Sequence, residues 1–134
     1  MHTLDTNNHS VFLLNYHLVF LIKYRRKVID DSISSRLSGI FLYIGKIHGI
    51  ELTEWNHDKD HVRILFKSLP NTNLSKFINA YKAASSRLIK KEFPAMRSQL
   101  WQSTFWSKGY CMLTVGKAPL EVFKKYTESH KEHD

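Results

Sequence analysis

The sequence predicts an α+β fold in which helices pack on an antiparallel β-sheet. Several short runs are rich in β-branched and aromatic residues and lie between turn residues, which is typical of strands. Other segments repeat apolar residues at helical spacing. The 134 residues show no repeat, low-complexity segment or obvious linker, so we expect a single domain over residues 1–134, with the polar residues 1–10 flexible.

The first elements are a predicted strand and a predicted helix. Residues 11–22 form an apolar, nearly uninterrupted run and are predicted as the first strand, which ends in the basic cluster 23–27. The polar residues 30–32 supply N-cap candidates for a helix. Its apolar residues recur at helical spacing up to His48 and Gly49, where we expect the helix to end.

A hairpin and a second helix are predicted next. Residues 50–57 and 61–68 are strand-like on either side of a turn-like segment rich in Asn and Asp. After a break around Pro70, apolar residues at helical spacing predict a helix over residues 74–92. This helix is expected to end at the Phe93–Pro94 pair.

The last quarter of the chain predicts two strands and a helix. Residues 99–107 are predicted as a mixed loop and short strand, and residues 110–115 as a further strand. Pro119 suits the first position of a final helix. The predicted order is therefore β-α-β-β-α-β-β-α, with an antiparallel sheet.

Composition favours a polyanionic partner. Lys and Arg outnumber Asp and Glu by 20 to 12, and the formal net charge is +8. Aromatic residues make up 13% of the chain and offer stacking surfaces for unpaired bases. Cys111 is the single cysteine, so no intramolecular disulfide is possible, and we expect it to be a small core residue. No apolar run is long enough for a membrane span or a signal peptide, so we expect a cytoplasmic protein without a membrane partner.

Two distant stretches carry side chains that suit phosphodiester chemistry. His61 and Arg63 alternate along a predicted strand and should point to one face of the sheet. Tyr126 and His130 are four residues apart on the final helix and should also share a face. If these elements meet, a phenol nucleophile, two imidazoles and a guanidinium surround one point.

Two basic groups are candidate DNA contacts. The first interleaves an aromatic ring with cations at the end of the first strand, so it can grip phosphates while the ring stacks on a base. The second lies on the predicted helix 74–92, with further candidates in the loop before the last strand. Taken singly, each residue is more often a solvated charge or a core aromatic, and it is their concentration that favours nucleic-acid contacts. The candidates are Lys23, Tyr24, Arg25, Arg26 and Lys27, then Lys82, Ser85, Ser86 and Arg87, and finally Trp106, Lys108 and Tyr110.

The order and spacing of these stretches resemble a known family. The supporting segments, by number, are 16–20 (YHLVF), 23–27 (KYRRK), 58–62 (DKDHV), 82–87 (KAASSR), 106–110 (WSKGY), 114–116 (TVG) and 125–130 (KYTESH). Together they resemble the single-tyrosine HUH transposases of the insertion-sequence 200/605 family. The resemblance implies a ferredoxin-like or RRM-like HUH endonuclease fold. It also implies that the protein cleaves and rejoins single-stranded DNA at hairpin-bearing insertion-sequence ends, with Tyr126 forming a 5′-phosphotyrosine intermediate.

The family also implies a DNA ligand, a second subunit and a cellular location. The resemblance implies hairpin recognition through the basic regions, although Ala83 stands where the family's Lys-Gly-x-Ser-Ser-Arg pattern has Gly. It further implies a homodimer whose active sites are shared between subunits, in a bacterial or archaeal cytoplasm. Whether Tyr126 meets His61 within one subunit or across two stays open.

The family's metal site shows a departure in this chain. The resemblance implies Mg²⁺ or Mn²⁺ held by two histidines of a His-hydrophobic-His triplet and by a residue four after the tyrosine. His61 and His130 match, but Arg63 stands at the second histidine, and a guanidinium offers no lone pair to a metal. His57, Asp58 or Asp60 is a possible substitute ligand, without a geometric argument for any of them. The metal site is therefore expected to be weakened.

Arg63 leaves three hypotheses open. The protein is a catalytically impaired transposase that still binds hairpins, or Arg63 itself clamps the scissile phosphate, or a metal binds through a rearranged shell. A domesticated DNA-binding protein is thus the main alternative function. A third possibility is an RNA-binding module, because this α+β layout and its aromatic residues also suit RNA.

Overall fold

A computed structural model of the protein describes residues 13–96, 98, 105–114 and 124–128. Its strands form one four-stranded antiparallel sheet in the spatial order β2-β3-β1-β4. The elements follow one another along the chain as β1 (Leu14–Leu21), α1 (Asp31–Ile47), β2 (Ile50–His57), β3 (His61–Ser68), α2 (Leu74–Glu92) and β4 (Cys111–Thr114). This is the predicted antiparallel sheet with packed helices, in the ferredoxin-like strand order.

Local signals position both long helices. The Asp30 side chain accepts a hydrogen bond from the Ile33 backbone at 2.8 Å and caps α1. Asn73 caps α2 in the same way, at 3.1 Å from the Lys76 backbone nitrogen. Gly49 follows α1 with φ of 73°, a left-handed conformation that favours glycine and lets the chain turn into β2. The predicted limits of β2, β3 and α2 agree with the structure.

The two ends of the chain depart from the predicted pattern. The first strand begins at Leu14, while residues 11 and 12, and the predicted flexible segment 1–10, lie outside the described residues. Within the predicted segment 99–107, residues 99–104 lie outside the described residues, and Trp106 forms an isolated bridge with Ile22. Residues 124–128 are helical, as predicted, and are called the tyrosine helix below. The predicted start of that helix at Pro119 lies outside the described residues.

Both long helices cover one face of the sheet, where the main core lies. The inward side chains of β1 and β3 alternate with outward ones, as strand geometry requires. Aromatic rings dominate this core: Phe41 of α1 meets Phe77 of α2 with ring centroids 5.1 Å apart. The fully buried Tyr81 donates a hydrogen bond to the Leu37 carbonyl at 3.0 Å and joins the helices. The opposite face, called the outer face below, carries the strand side chains that point away from both helices.

The outer face of the sheet has a smaller apolar cluster of its own. Val19 and Leu21 are buried there, with Cys111, Leu113 and Tyr126 packed against them. Among the described residues, the tyrosine helix contributes Tyr126 to the cover over this cluster. Among the helices that the structure describes, none combines the length and the apolar character needed to cross a membrane.

Candidate active site and nucleic-acid interface

His61 and Arg63 lie side by side on the outer face of the sheet, as their spacing predicts. His61 pairs with Leu21 of β1, and Arg63 pairs with Val19, in an antiparallel register. Val62, between them, is buried on the helix-covered face. The sequence prediction that His61 and Arg63 share a face is therefore confirmed.

The tyrosine helix lies on this same outer face. The Tyr126 ring packs against the cluster of Val19 and Leu21, and Leu21 is also the strand partner of His61. The Tyr126 hydroxyl oxygen is enclosed by protein. It lies 3.6 Å from the position that a Cβ atom on Gly109 would take. Within one chain, the predicted nucleophile and His61 thus flank a shared apolar residue.

A hydrogen-bonded chain joins the His61 strand to the tyrosine helix. His61 Nδ1 lies 2.8 Å from Asp60 Oδ1. Asp60 Oδ2 accepts from Arg25 Nε at 3.0 Å and lies 2.8 Å from Arg25 Nη2. Arg25 Nη1 donates to the Thr127 carbonyl at 2.6 Å, next to Tyr126 in sequence. We call Arg25, Asp60 and His61 the site triad.

The site triad determines how His61 presents its ring. Burial disfavours the charged form of Asp60, but hydrogen bonds and charges from His61 and Arg25 outweigh it, so the pKa of Asp60 lies below its usual value. An ionised carboxylate only accepts hydrogen bonds, so His61 Nδ1 must carry the proton. The lone pair of neutral His61 is then on Nε2, the nitrogen that can take a proton or bind a cation.

The described residues do not complete the metal site that the sequence led us to expect. A carboxylate on the far ring nitrogen is typical of metal-binding histidines, so the His61–Asp60 pair itself suits a ligand. However, no group of three His, Cys, Asp or Glu side chains among the residues that the structure describes could hold an ion. Asp60 already serves His61 and Arg25, and Arg63 has no lone pair to donate. His130 lies outside the described residues.

Arg63 lines an open cavity between β1, β2 and β3. This cavity has a volume of about 210 Å³, and the side chains of His17, Glu54, Asn56 and Leu65 also contribute to its wall. Asn56 is the strand neighbour of Arg63 on β2, and Val19 is its neighbour on β1. Arg63 is exposed, so its guanidinium can meet an anion without first leaving a buried site.

The basic cluster after β1 divides into an outward and an inward part. Tyr24 is 50% exposed, and its ring centroid lies 5.3 Å from Lys23 Nζ and 5.8 Å from the Arg26 guanidinium carbon. Lys27 is also exposed. These four residues form an accessible aromatic and cationic surface. Arg25 differs from them, because its guanidinium points inward to Asp60 and Thr127, and its DNA contact stays a prediction.

A second basic surface lies along α2. A groove of about 430 Å³, here called the α2 groove, is lined by Lys82, Ala83, Ser86, Arg87, Lys90, Trp106, Ser107 and Lys108. Arg87 and Lys108 are exposed. The Lys82 ammonium donates to the carbonyls of Ser107 at 2.7 Å and Lys108 at 2.9 Å, so it also holds this loop on the helix.

Two predicted DNA contacts belong to the core beneath the α2 groove. Ser85 is 0% exposed and Trp106 is 2% exposed. Trp106 Nε1 donates to Ser85 Oγ at 2.8 Å, and Ser85 Oγ donates to the Tyr81 carbonyl at 2.6 Å. A buried side chain that satisfies its neighbours supports the surface instead of contacting a ligand. Ser85 and Trp106 therefore support the groove from the core side, and Trp106 also lines it, while their direct DNA contact stays a prediction. Tyr110, half-buried against the main core, is likewise a packing residue.

The sequence analysis missed three contributors to these surfaces. Asp60 was considered only as a metal ligand, although a carboxylate directly before a candidate histidine could have suggested an orienting partner. Gly109 borders the Tyr126 hydroxyl, and no sequence signal links the two. Lys90 lines the α2 groove, and its position eight residues after Lys82 on a helix is the signal that could have found it.

Comparisons with known proteins identify relatives of this chain. The family model described as IS200-like transposase matches residues 10–130. The ISDra2 transposase TnpA of Deinococcus radiodurans is 32% identical over 124 residues, which cover 92% of this chain and 87% of the relative. The IS200 transposase of Salmonella typhimurium is 25% identical over 126 residues, covering 94% and 82%.

Solved structures show the same fold. The crystal structure of a candidate transposase from Deinococcus radiodurans superposes with a TM-score of 0.83 at 29% identity, covering 94% of this chain and 97% of the other. A REP-associated tyrosine transposase bound to a REP hairpin gives a TM-score of 0.52 at 10% identity, covering 92% and 68%, and shows the fold alone. The family match spans nearly the whole chain, and the chain therefore belongs to the IS200-like transposase family.

Proposed function

We propose that this transposase cleaves and rejoins single-stranded DNA at hairpin-bearing insertion-sequence ends, with Tyr126 as the nucleophile. One observation carries the proposal: the tyrosine helix lies on the sheet face of His61 and Arg63, tied to the His61 strand through Arg25 and Asp60. A phenol whose hydroxyl is enclosed by protein, an oriented imidazole and an exposed guanidinium thereby belong to the same side of the sheet. These are groups that phosphoryl transfer requires.

The proposed reaction is a reversible transfer of a phosphodiester. The Tyr126 oxygen attacks the phosphorus, its bond to that phosphorus forms, and the bond between phosphorus and the 3′ oxygen breaks. The phenolic proton leaves as the attack occurs, and the departing 3′ oxygen takes up a proton to become a hydroxyl. Because the phosphotyrosine ester keeps the energy of the broken bond, a second 3′-hydroxyl can displace Tyr126 without a nucleotide cofactor.

Arg63 is proposed to stabilise the phosphate during this transfer. The guanidinium is exposed and adjoins His61 on the same face, and it can donate two parallel hydrogen bonds to phosphate oxygens. Charge that develops on those oxygens is then met by a fixed cation. His61 Nε2, opposite the Asp60 contact, is the group available to accept a proton near the same phosphate.

The two basic surfaces are proposed to hold the hairpin. Tyr24 with its neighbouring cations offers stacking and phosphate contacts, and the α2 groove adds Arg87 and Lys108. A structural neighbour that shares the fold was solved bound to a REP hairpin, and we extend a hairpin ligand to this chain as part of the proposal. We also propose that the protein acts in the cytoplasm as a homodimer. Particle mass measured with and without hairpin tests the homodimer.

The alternative function is a hairpin-binding protein without strand transfer. Arg63 favours it, because a guanidinium stands where the family's metal site has a histidine and offers no lone pair to a metal. Mg²⁺ or Mn²⁺ bound through His61, His130 and water remains part of the proposal to be tested. The two functions differ in one observable product, the covalent protein–DNA adduct.

The decisive experiment looks for that adduct. Labelled single-stranded DNA from the regions that flank the coding sequence, including its predicted hairpins, is incubated with the protein in EDTA, Mg²⁺ or Mn²⁺. We expect a denaturant-resistant adduct that disappears in Tyr126→Phe. Tight hairpin binding without any adduct, in all three conditions, would establish the alternative. If an RNA hairpin displaces the labelled DNA as effectively as an unlabelled DNA hairpin does, the result would favour an RNA-binding module.

Arg63→His then separates the roles of Arg63. If Arg63 clamps the phosphate, the adduct rate falls or stays constant in this variant, with little dependence on metal. A sharp rise in metal-dependent cleavage would instead mean that Arg63 has impaired a metal-dependent enzyme. Arg63→Lys is the matched control, because it keeps the charge but loses the paired donors.

A further inference from the structure

We propose that Arg25 is a positioning residue that sets His61 and the tyrosine helix relative to each other. The expected effect of Arg25 on strand transfer rests on the proposed function. Its expected effect on the His61 ring and on the tyrosine helix does not. The side-chain hydrogen bonds of Arg25 go to Asp60, the neighbour of His61, and to the backbone beside Tyr126. Arg25 acts through Asp60 on one side and through the Thr127 carbonyl on the other.

The contacts of Arg25 use the shape of a guanidinium. Nε and Nη2 both face Asp60 Oδ2, at 3.0 Å and 2.8 Å, while Nη1 reaches the Thr127 carbonyl at 2.6 Å. A planar fork with five donors can serve a carboxylate and a carbonyl at once, and an ammonium cannot match both directions. The residues joined in this way are 35 and 102 positions from Arg25 in sequence.

The side chains that make these contacts are largely shielded from solvent. The side chains of Arg25 and Asp60 are 20% and 13% exposed, and that of His61 is 16% exposed. Charges at this depth are screened less by water than charges on the surface. With Oδ2 occupied by Arg25, Asp60 directs Oδ1 to His61 Nδ1 at 2.8 Å. The chain of contacts therefore passes from the helix carbonyl to the imidazole without a gap.

The backbone around Arg25 supports this role. Tyr24 and Arg25 have φ of 59° and 55°, a left-handed conformation that is unfavourable for residues other than glycine. The turn is held by flanking hydrogen bonds from the Ile22 nitrogen to the Asp60 carbonyl, and from the Lys23 nitrogen to the Phe105 carbonyl. Strained backbone that the surroundings enforce is concentrated at functional sites. Here the strain turns Arg25 inward while Tyr24 stays outside.

The molecule offers a matched pair for comparison. Arg36 also contacts a carboxylate, with Nε 2.7 Å from Glu92 Oε1, but the two side chains are 41% and 35% exposed. That pair joins α1 to α2 away from the site triad. Arg36→Gln therefore removes the same charge from the same kind of pair without touching the proposed site.

The test compares Arg25→Gln, Arg25→Lys and Arg36→Gln in the full chain. Three measurements need no DNA: the thermal midpoint, the tautomer of neutral His61 from ¹⁵N NMR, and amide hydrogen exchange of the peptide covering residues 124–128. Two use the hairpin DNA described above: binding affinity and the rate of adduct formation. The tautomer and the exchange rate report positioning, which a general loss of stability would not change selectively.

We expect Arg25→Gln to lower the Nδ1–H tautomer fraction, to speed exchange in residues 124–128 alone, and to slow adduct formation by about 10- to 100-fold. Hairpin affinity should stay within about threefold of that of the unmodified protein, because losing Arg25 should not remove a phosphate contact. Arg25→Lys should keep the tautomer through its charge but still speed exchange of the helix. Arg36→Gln should match the unmodified protein in all of these.

Several results would overturn the proposal. If hairpin affinity falls as much as the adduct rate while the tautomer and helix exchange stay unchanged, Arg25 is a DNA contact. If exchange rises throughout the chain together with a large drop in thermal midpoint, Arg25 is a general stabilising residue. Should the unmodified protein form no adduct, the proposed function fails, and the tautomer and exchange measurements alone decide the role of Arg25.

Discussion

The two faces of the sheet take alternate residues from the same central strands but differ in what those residues do. On the helix-covered face, Phe20 and Phe66 are 0% exposed and join a continuous aromatic core. On the outer face, Val19 and Leu21 form a small cluster under the tyrosine helix, while Arg63 on the adjacent strand is exposed. Stability and chemistry are thus carried by opposite faces, so substitutions on the two faces should have separable effects.

The largest effect is expected on the outer face from Tyr126→Phe. Loss of the phenolic oxygen removes the nucleophile, so no covalent adduct should form. The ring keeps its packing against Val19 and Leu21, so the free energy of unfolding should change by less than about 1.5 kcal/mol. A denaturing gel and a urea titration measure both. An adduct that persists in this variant would mean that another residue attacks the phosphate.

On the helix-covered side of the sheet, Phe41→Ala of α1 should lower stability while leaving the nucleophile in place. Phe41 is 0% exposed and meets Phe77 and Tyr81, so its truncation should cost about 3–5 kcal/mol of unfolding free energy. Its chain neighbour Leu42 is 53% exposed, and Leu42→Ala should change stability by less than about 0.5 kcal/mol. Urea unfolding of the two variants measures both changes in unfolding free energy. Similar costs at both positions would contradict the described core.

Arg63→Gln should affect chemistry without affecting stability. The guanidinium is exposed, so its loss should leave the unfolding free energy within about 0.5 kcal/mol. Removing one fixed donor from a developing phosphate charge should slow adduct formation by about 100-fold or more. Single-turnover rates with the flanking single-stranded DNA test this. An unchanged rate would place Arg63 outside the reaction.

Ser85→Ala should behave as a core substitution, although the residue lies on the helix that lines the α2 groove. It leaves the buried Trp106 Nε1 without the Ser85 acceptor, so we expect a loss of about 1–3 kcal/mol in stability. Hairpin affinity, extrapolated to conditions where the protein is fully folded, should be unchanged. Arg87→Gln is the surface counterpart and should weaken hairpin binding with a shallower salt dependence. A loss of affinity in Ser85→Ala at constant stability would reverse this assignment.

The smallest effect is expected at Gly109. A Cβ atom there would lie 3.6 Å from the Tyr126 hydroxyl, an ordinary van der Waals distance, so Gly109→Ala should leave the adduct rate within about twofold. Gly109→Leu places more atoms in the same direction and should displace Tyr126, slowing the adduct further. Equal rates in both variants would mean that Gly109 does not border the nucleophile during the reaction.

Much of the fold could be predicted from local pattern. Residues 50–57, 61–68 and 74–92 were predicted with the limits that the structure shows, because turn residues and periodic apolar residues bound each element. Within the predicted segment 99–107, the described part forms an isolated bridge between Trp106 and Ile22, a pairing that depends on a residue far away in sequence. The sharing of one face by His61 and Arg63 was predictable because strand side chains alternate.

What the sequence by itself determined is the fold class, the strong positive charge, the family resemblance and the identity of the candidate groups. Periodicity and composition act within short segments, so they are visible along the chain. Only the tertiary structure decided that Arg25 faces Asp60 and Thr127, that Ser85 and Trp106 lie in the core, and that Gly109 borders Tyr126. These relations join residues far apart in sequence, and they exist only when packing of the two sheet faces brings the segments together.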